Sequence, residues 1–370
     1  MRPVWDEALD ADTLGVLDPG PVSLDATPDV LVIGGGAVGL AAAVMCRRAG
    51  IDRVQVIERD RCIAGPSGSP ASGLSPGVHS VSHPDFVALA NASLALHRQL
   101  DAEWSGEQGL RTLDWLIVSP ERIAPETAGW PGVEVIDDER AHAVEPELGG
   151  AGGALFIRDQ AWVHPIKLAV AMARRAGSVA TRCGMTGVVV RGGRIVSITT
   201  TAGPVAPGAV VFATGTALPD VITVPHLIVK GHLLATEPAP FRLRAAVASS
   251  IIVVPLPDGR LVAGGTFDVD DRGPEVRDDV IAGIRQTLAR LLPKTEGIGI
   301  THAWCCFRPG TTDGLPVIDA VPGIENAWLS VGHFRTGILL APAAGRAVAE
   351  WIAAGSRPPG LDAFAVGRFA

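Results

Sequence analysis

The stretch VLVIGGGAVGLAAAVMCRRAGIDRVQVIE, residues 30–58, constrains the fold more than any other part of the chain. Four branched apolar residues, Val30 to Ile33, run into Gly34-x-Gly36-x-x-Gly39. An alanine-rich helical segment follows, then a second apolar run ending in Glu58. The three glycines act differently. The first permits a tight turn out of a strand, the second lets a pyrophosphate approach the backbone, and the third lets the helix pack close to the sheet. The free N–H groups and dipole of the helix N-terminus favour an anion there, with Ala37 and Val38 in its first turn. Glu58 lies roughly 20 residues on, where a carboxylate accepts a hydrogen bond from an adenosine ribose, with Arg59 beside it. The pattern predicts a βαβ unit that binds a dinucleotide.

A chain of 370 residues holds two domains or one large composite domain, and 47% hydrophobic residues imply a sizeable core. The net charge of -8 argues against nucleic acid or an anionic membrane as partner. The longest uncharged apolar stretch contains the glycine turn, so it reads as strand–turn–helix and no membrane span is expected. The acidic N-terminus lacks the order of a signal peptide. The five cysteines (46, 62, 183, 305, 306) show neither CxxC spacing nor a disulfide framework, and a cytoplasmic location follows as the expectation. The nine histidines make no HExxH or comparable spacing, so no metal is expected.

Residues 1–27 precede the first strand as an extension, broken by Asp18-Pro19-Gly20-Pro21, and read as a loosely attached tail. Residues 65–83 form a long loop rich in Gly, Ser and Pro, of the kind that is usually functional inside a compact domain. Helices are expected at 84–104, 165–175, 275–292 and 341–353. A hairpin at 187–200 turns at Gly192-Gly193, and a second turns at Asp258-Gly259, a type I′ signal. Residues 209–215, AVVFATG, read as a buried strand, and 300–307 as a strand leading into an Arg308-Pro309-Gly310 turn.

Only one GxGxxG unit is present, so one dinucleotide is bound. AVVFATG, behind the 187–200 hairpin, resembles the late strand of two-dinucleotide-binding flavoproteins. Phe307-Arg308-Pro309-Gly310-Thr311 with Asp313-Gly314, and Gly332-His333-Phe334-Arg335-Thr336-Gly337 running into Leu339-Leu340-Ala341-Pro342, complete the pattern, with Lys230-Gly231 opening a strand between them. In these motifs, over residues 28–355, the chain resembles the D-amino-acid-oxidase-like superfamily of FAD-dependent oxidoreductases, and glycine oxidases most of all.

The resemblance implies an α/β fold: a two-dinucleotide-binding, Rossmann-like FAD domain from residues 28–100, 161–225 and 300–370, and a discontinuous strand-rich α+β substrate domain from 101–160 and 226–299. It implies FAD as cofactor and C–N oxidation of an amino acid or amine by hydride transfer, the imine product being hydrolysed. The FAD contacts it implies are Gly34, Gly36, Ala37, Val38, Gly39, Glu58, Arg59, Ser72, Gly73, Leu74, Thr214, Gly215, Arg308, Gly332, His333, Arg335, Thr336, Gly337 and Ile338. Arg308 is the candidate carboxylate clamp, a solvated strand-end arginine being the alternative on position alone. At Arg335 the resemblance implies that the backbone carbonyl faces the substrate amine. Ile252 stands where glycine oxidases carry a substrate-binding tyrosine, which makes the pocket wall apolar and points away from glycine itself. The chain has no tyrosine at all, so a tyrosine base is excluded. The resemblance extends to the sarcosine oxidase branch, where a cysteine near this position attaches the flavin covalently, and so implies such a link at Cys306; two small hydrophobes in a strand is the plainer reading of Cys305-Cys306. Alternatives that remain open are a dehydrogenase subunit that passes electrons to a quinone or a partner protein, as in opine or hydroxyproline dehydrogenases, and a non-catalytic flavoprotein subunit. Homo-oligomers or partner dehydrogenase subunits fit these readings.

Overall fold

All four residues of Val30–Ile33 are buried, which requires a sheet covered on both faces. In the computed structural model, which describes residues 2–78, 83–118, 132–150, 152–218, 221 and 223–369, that strand is central to a six-stranded sheet. The order is Val317–Ala320, Ala327–Val331, Ala209–Phe212, Val30–Ile33, Val54–Ile57, Ser178–Ala180. Every pairing is parallel except that of Val317–Ala320. The helix Ala37–Arg48 crosses over from the first strand to Val54–Ile57, and its alanine face packs on Gly337–Ala354.

Gly337–Ala354 is long and apolar enough to cross a membrane, but its first half, from Ile338 to Gly345, is buried inside the protein. It starts four residues before the expected 341, with Pro342 inside it. Pro342 has no N–H, so the carbonyl of Ile338 four residues earlier loses its helical partner. His97 Nε2, from the helix Pro84–Glu103, takes that carbonyl at 2.9 Å, and Ser93 Oγ accepts the N–H of Ala343 at 3.1 Å. Burial holds the His97 imidazole below its ordinary pKa, so it is neutral and Nε2 carries the donated proton.

The second large sheet has eight strands in the order Ile300–Thr311, His226–Thr236, Leu261–Gly264, Ile252–Pro255, Ala246–Ala248, Trp115–Ile117, Ala154–Ile157, Val133–Ile136. The helix Asp278–Leu291 packs on one face of it through Ile284 and Leu288. It begins three residues later than the expected 275, after Arg277 at the cap position.

Three expectations are corrected here. Arg308-Pro309-Gly310 is not a turn: the strand continues through it to Thr311, pairing with His226–Thr236 along almost its whole length. Pro309 is tolerated because this is an edge strand, where a missing N–H breaks no ladder. The same pairing puts Ile300–Thr311 in the eight-stranded sheet and sets Lys230-Gly231 in mid-strand. The hairpin at Asp258-Gly259 exists, but Leu256 N–H bonds to Arg260 O around a three-residue loop. Asp258 lacks the positive φ that type I′ requires; Pro257 takes the first central position of a type I turn, Gly259 N–H bonding to Leu256 O, closed by left-handed Gly259. The hairpin Met185–Arg191 with Arg194–Thr200 forms as expected. Of the loop 65–83, residues 79–82 lie outside the described residues.

The N-terminal extension is no loose tail. Trp5 is buried, packs its ring on Trp162, and donates from Nε1 to Pro70 O at 2.8 Å. Asp6 pairs with Arg61, and Glu7 accepts both ends of the Arg260 guanidinium. Farther along, Leu17 O receives the N–H of Cys62, and Asp18 binds Thr181 and Arg182. One short segment therefore ties the 62–70 loop to the hairpin of the large sheet. Trp5→Ala should cost about 3–5 kcal/mol, as for other large aromatic truncations in a core, read as a drop in the denaturation midpoint; a change within about 1 kcal/mol would mean that the extension is only resting on the surface.

Candidate active site

The carboxyl ends of Val30–Ile33, Val54–Ile57 and Ala209–Phe212 finish at one level, and the crevice beyond such ends is where open α/β sheets bind ligands. A continuous cavity of about 580 Å³ runs from there to the inner face of the eight-stranded sheet. Its first wall is backbone. Gly34 has a φ of +116°, and a Cβ there would lie 2.3 Å from Ala213 O; a Cβ on Gly39 would lie 1.9 Å from Gly34 O. Strand, helix and the 213–215 segment meet closer than any side chain permits.

Gly36 caps the helix Ala37–Arg48 and faces the cavity. Ser67 Oγ accepts the N–H of Ala37 at 3.1 Å. Glu58 accepts Gly35 N–H through one oxygen at 2.7 Å and Asp60 N–H through the other at 2.9 Å, leaving lone pairs on both. Arg59, largely exposed and beside Asp60, lines the outer edge.

The polar atoms along the cavity are unsatisfied in a way that fits FAD. Ser72 Oγ, Thr214 Oγ1 and His333 Nδ1 are buried without a hydrogen-bond partner, although such groups in proteins are normally paired. With the helix N-terminus at Gly36 they offer an extended, mixed donor and acceptor wall for a dinucleotide. His333 Nε2 is hydrogen-bonded to Ser330 Oγ at 3.0 Å, and burial pushes its pKa down to about 4, so the ring is neutral.

Of the implied cofactor contacts, Gly34, Gly36, Val38, Glu58, Arg59, Ser72 and Gly73 line the cavity, as do Thr214, Gly215, Arg308, Gly332, His333, Arg335, Gly337 and Ile338. Ala37, Gly39, Leu74 and Thr336 stand behind the wall. Ala37 holds Ser67, Gly39 is pressed on Gly34, Leu74 is buried, and Thr336 Oγ1 donates to His333 O. Sequence reasoning missed Ser67, Trp115, Phe334 and the 183–185 segment, all lining residues. Ser67 lies in the small-residue loop already singled out; Trp115 and Met185 carry no local signal, because only the fold brings them in.

At the other end, strand alternation along Ile300–Thr311 turns Trp304, Cys306 and Arg308 toward one face. Trp304 Nε1 donates to Ser69 O at 3.1 Å, while Cys306 and Arg308 reach the cavity. Cys305, on the opposite face, contacts Pro274 O. Burial raises the pKa of the Cys306 thiol, so it is held protonated. Arg308 Nη1 donates to Thr266 O at 2.8 Å, and the head lies flat against Gly231, where a Cβ would be 1.8 Å from Nη2. Lys230 points the other way, fully buried and paired with Asp271 at 2.8 Å. Ile252 forms part of the apolar wall with Leu233 and Trp115. Phe334 holds a left-handed φ of 51°, its N–H bonded to Pro309 O at 2.7 Å, which locks the loop carrying Arg335. Burial and the Arg308 charge lower the Arg335 pKa to about 10; it stays cationic at neutral pH.

A family model described as FAD dependent oxidoreductase matches residues 29–351. Glycine oxidase of Pseudomonas putida is 29% identical over 341 residues, covering 85% of this chain and 91% of that protein. Among solved structures, glycine oxidase from Geobacillus kaustophilus superposes with a TM-score of 0.83 at 25% identity, covering 92% of this chain and 99% of that one. L-proline dehydrogenase from P. horikoshii shares the fold, with a TM-score of 0.86 at 19% identity over 94% of this chain and 98% of that one.

Two outcomes follow. Gly231→Ala displaces only the far end of the Arg308 side chain, so the protein should fold and bind flavin while carboxylate affinity falls roughly 10–100-fold, the range of a charged hydrogen bond; unchanged affinity in an inhibitor titration would remove Arg308 from the clamp. His333 is neutral in the fold, with its pKa near 4 against an ordinary 6.5. Below pH 6.5 the unfolded chain takes up the proton first, so stability present above that pH is lost as pH falls toward 4, by about 1.4 kcal/mol per unit. Denaturant midpoints at about pH 7, above that window, and about pH 4.5, near its lower end, should differ less in His333→Gln than in the wild type.

Proposed function

The chain belongs to the FAD dependent oxidoreductase family, and on that premise we propose that it oxidises the α-carbon–nitrogen bond of an amino acid or related amine whose carboxylate is held by Arg308. The observation that carries this reading is a guanidinium buried at the end of the cavity without a carboxylate of its own, among the described residues. A planar guanidinium takes a carboxylate through two parallel bonds, which fixes the direction of the α-carbon as well as its distance. Gly231 and Thr266 O hold that plane in advance, so little order is lost on binding.

Bound FAD supplies a two-electron acceptor for the hydride that leaves the α-carbon. Gly36 and the N-terminus of Ala37–Arg48 would hold its pyrophosphate, Glu58 a ribose, and Ser72, Thr214 and His333 the remainder. No side chain needs to take the α-proton as a base. The chain has no tyrosine, and His333 is neutral with Nε2 committed to Ser330. The substrate amine is therefore used as its free base, and the imine product is hydrolysed by water. Ile252, Leu233 and Trp115 keep the reacting carbon dry. Ile252 also presents no hydroxyl to a carboxylate, which favours substrates larger than glycine.

The six-stranded sheet with its helices serves as the FAD-binding unit, and the eight-stranded sheet, including Ile300–Thr311, as the substrate-facing unit. With Cys306 a protonated thiol, the flavin is held non-covalently and is released on denaturation.

The test is anaerobic titration of the yellow protein with amino acids, N-alkyl amino acids and cyclic imino acids. A substrate bleaches the flavin, and recolouring in air within the turnover time identifies an oxidase; slow recolouring identifies a dehydrogenase needing another acceptor. Arg308→Ala should raise the substrate concentration for half-bleaching by about 100-fold or more with flavin content intact. Bleaching that is indifferent to Arg308 would refute the clamp.

A further inference from the structure

Arg308 is not alone at its end of the cavity. Arg335, from the 332–337 loop, lines the same space, and both guanidiniums sit over the ring of Phe267, at 5.2 Å and 4.9 Å from its centre. Phe267 is itself braced edge-on by Phe334. The arginines elsewhere in the chain mostly have carboxylate partners even in solvent, as Arg48 does with Glu103, Arg175 with Glu107 and Arg368 with Asp313. Among the described residues, neither Arg308 nor Arg335 has one. Arg308 has Thr266 O, and the described contact of Arg335 is the Phe267 face. The acidic residues lining the cavity, Glu58 and Asp60, belong to the dinucleotide end.

Two cations brought together over a half-exposed ring, Arg308 buried and Arg335 half-buried, repel each other and lose part of their hydration, and an aromatic face compensates only a small part of that. The locked Phe334 backbone and the Gly231 slot keep both heads in place regardless, as expected of a site prepared for negative charge. A simple amino acid, with its amine in the neutral reacting form, brings one negative charge. We propose that the substrate carries a second carboxylate, bound by Arg335 while Arg308 holds the first: an amino acid bearing a further acid group either on nitrogen, as an N-carboxyalkyl chain, or on its side chain. Both guanidiniums contact one ring, so the two carboxylates belong to one small molecule. This rests on the amino-acid oxidation reading and narrows it to diacids.

The probe pair is oxydiacetate and methoxyacetate, which have the same backbone but differ by one carboxylate and have no amine to oxidise. Each is titrated into the FAD-loaded protein and followed by the shift of flavin absorbance. Oxydiacetate should bind about tenfold more tightly or better, the low end for one charged hydrogen-bonded contact. In Arg335→Gln that ratio should collapse to within about threefold, whereas Arg308→Gln should weaken both ligands. Anaerobic bleaching by iminodiacetate against sarcosine, and by aspartate and glutamate against alanine in both enantiomers, then separates an acid on nitrogen from one on the side chain. Equal binding of the two ethers, with bleaching by monocarboxylate amino acids, would mean that both arginines clamp one carboxylate: the diacid inference falls and the amino-acid reading stands. No spectral shift by either ether and no bleaching by any amine would overturn both.

Discussion

The parallel pairing of Val30–Ile33 with Val54–Ile57 on one side and Ala209–Phe212 on the other sets the level at which three strands stop together. Every part of the cofactor end hangs on that level. The glycine turn leaves the first strand, Glu58 ends the second, and Ala213-Thr214-Gly215 leaves the third, so three short segments far apart in sequence converge at one crevice. The close contacts of Gly34 with Ala213 and of Gly39 with Gly34 make this a junction of main chains. Side-chain packing can adjust to a lost methylene group, but main chain in contact with main chain has no such slack, which is why the requirement for glycine is strict.

Around this junction the molecule uses buried polar groups sparingly and gives most of them a partner. Pro342 interrupts a core helix, and the freed carbonyl and neighbouring N–H are met by His97 and Ser93. The N-terminal extension forms ion pairs with Arg61, beside the 62–70 loop, and with Arg260 of the large sheet's hairpin. The unpartnered atoms of Ser72, Thr214 and His333 and the two arginines without carboxylates meet at one cavity, as places made for something outside the chain.

Much of this is legible in the sequence because the signals are local. The βαβ unit, the AVVFATG strand and the Gly332–Gly337 loop each carry their small residues in consecutive order, and the structure brings them to one cavity. What stays hidden is long-range pairing. Nothing in Arg308-Pro309-Gly310 itself tells a turn from an edge strand; the partner His226–Thr236, far earlier in the chain, decides it. Trp5 reads as part of a tail because its contacts, Pro70 and Trp162, lie in other segments. Asp258-Gly259 misleads for a local reason: the preceding Pro257 outweighs the dipeptide in choosing the turn.

The alternation along Ile300–Thr311 has a consequence for how such a pocket changes over time. Cys306 and Arg308 there look into the cavity while Cys305 and Phe307 look away, and the facing strand His226–Thr236 fixes the register. Deleting one residue upstream within the strand would put Pro309 in the place of the cation and leave the slot at Gly231 without its guanidinium. New substrates are thus reached by point replacement at positions such as 252, 306 or 335, and insertions or deletions are confined to the loops that join the strands.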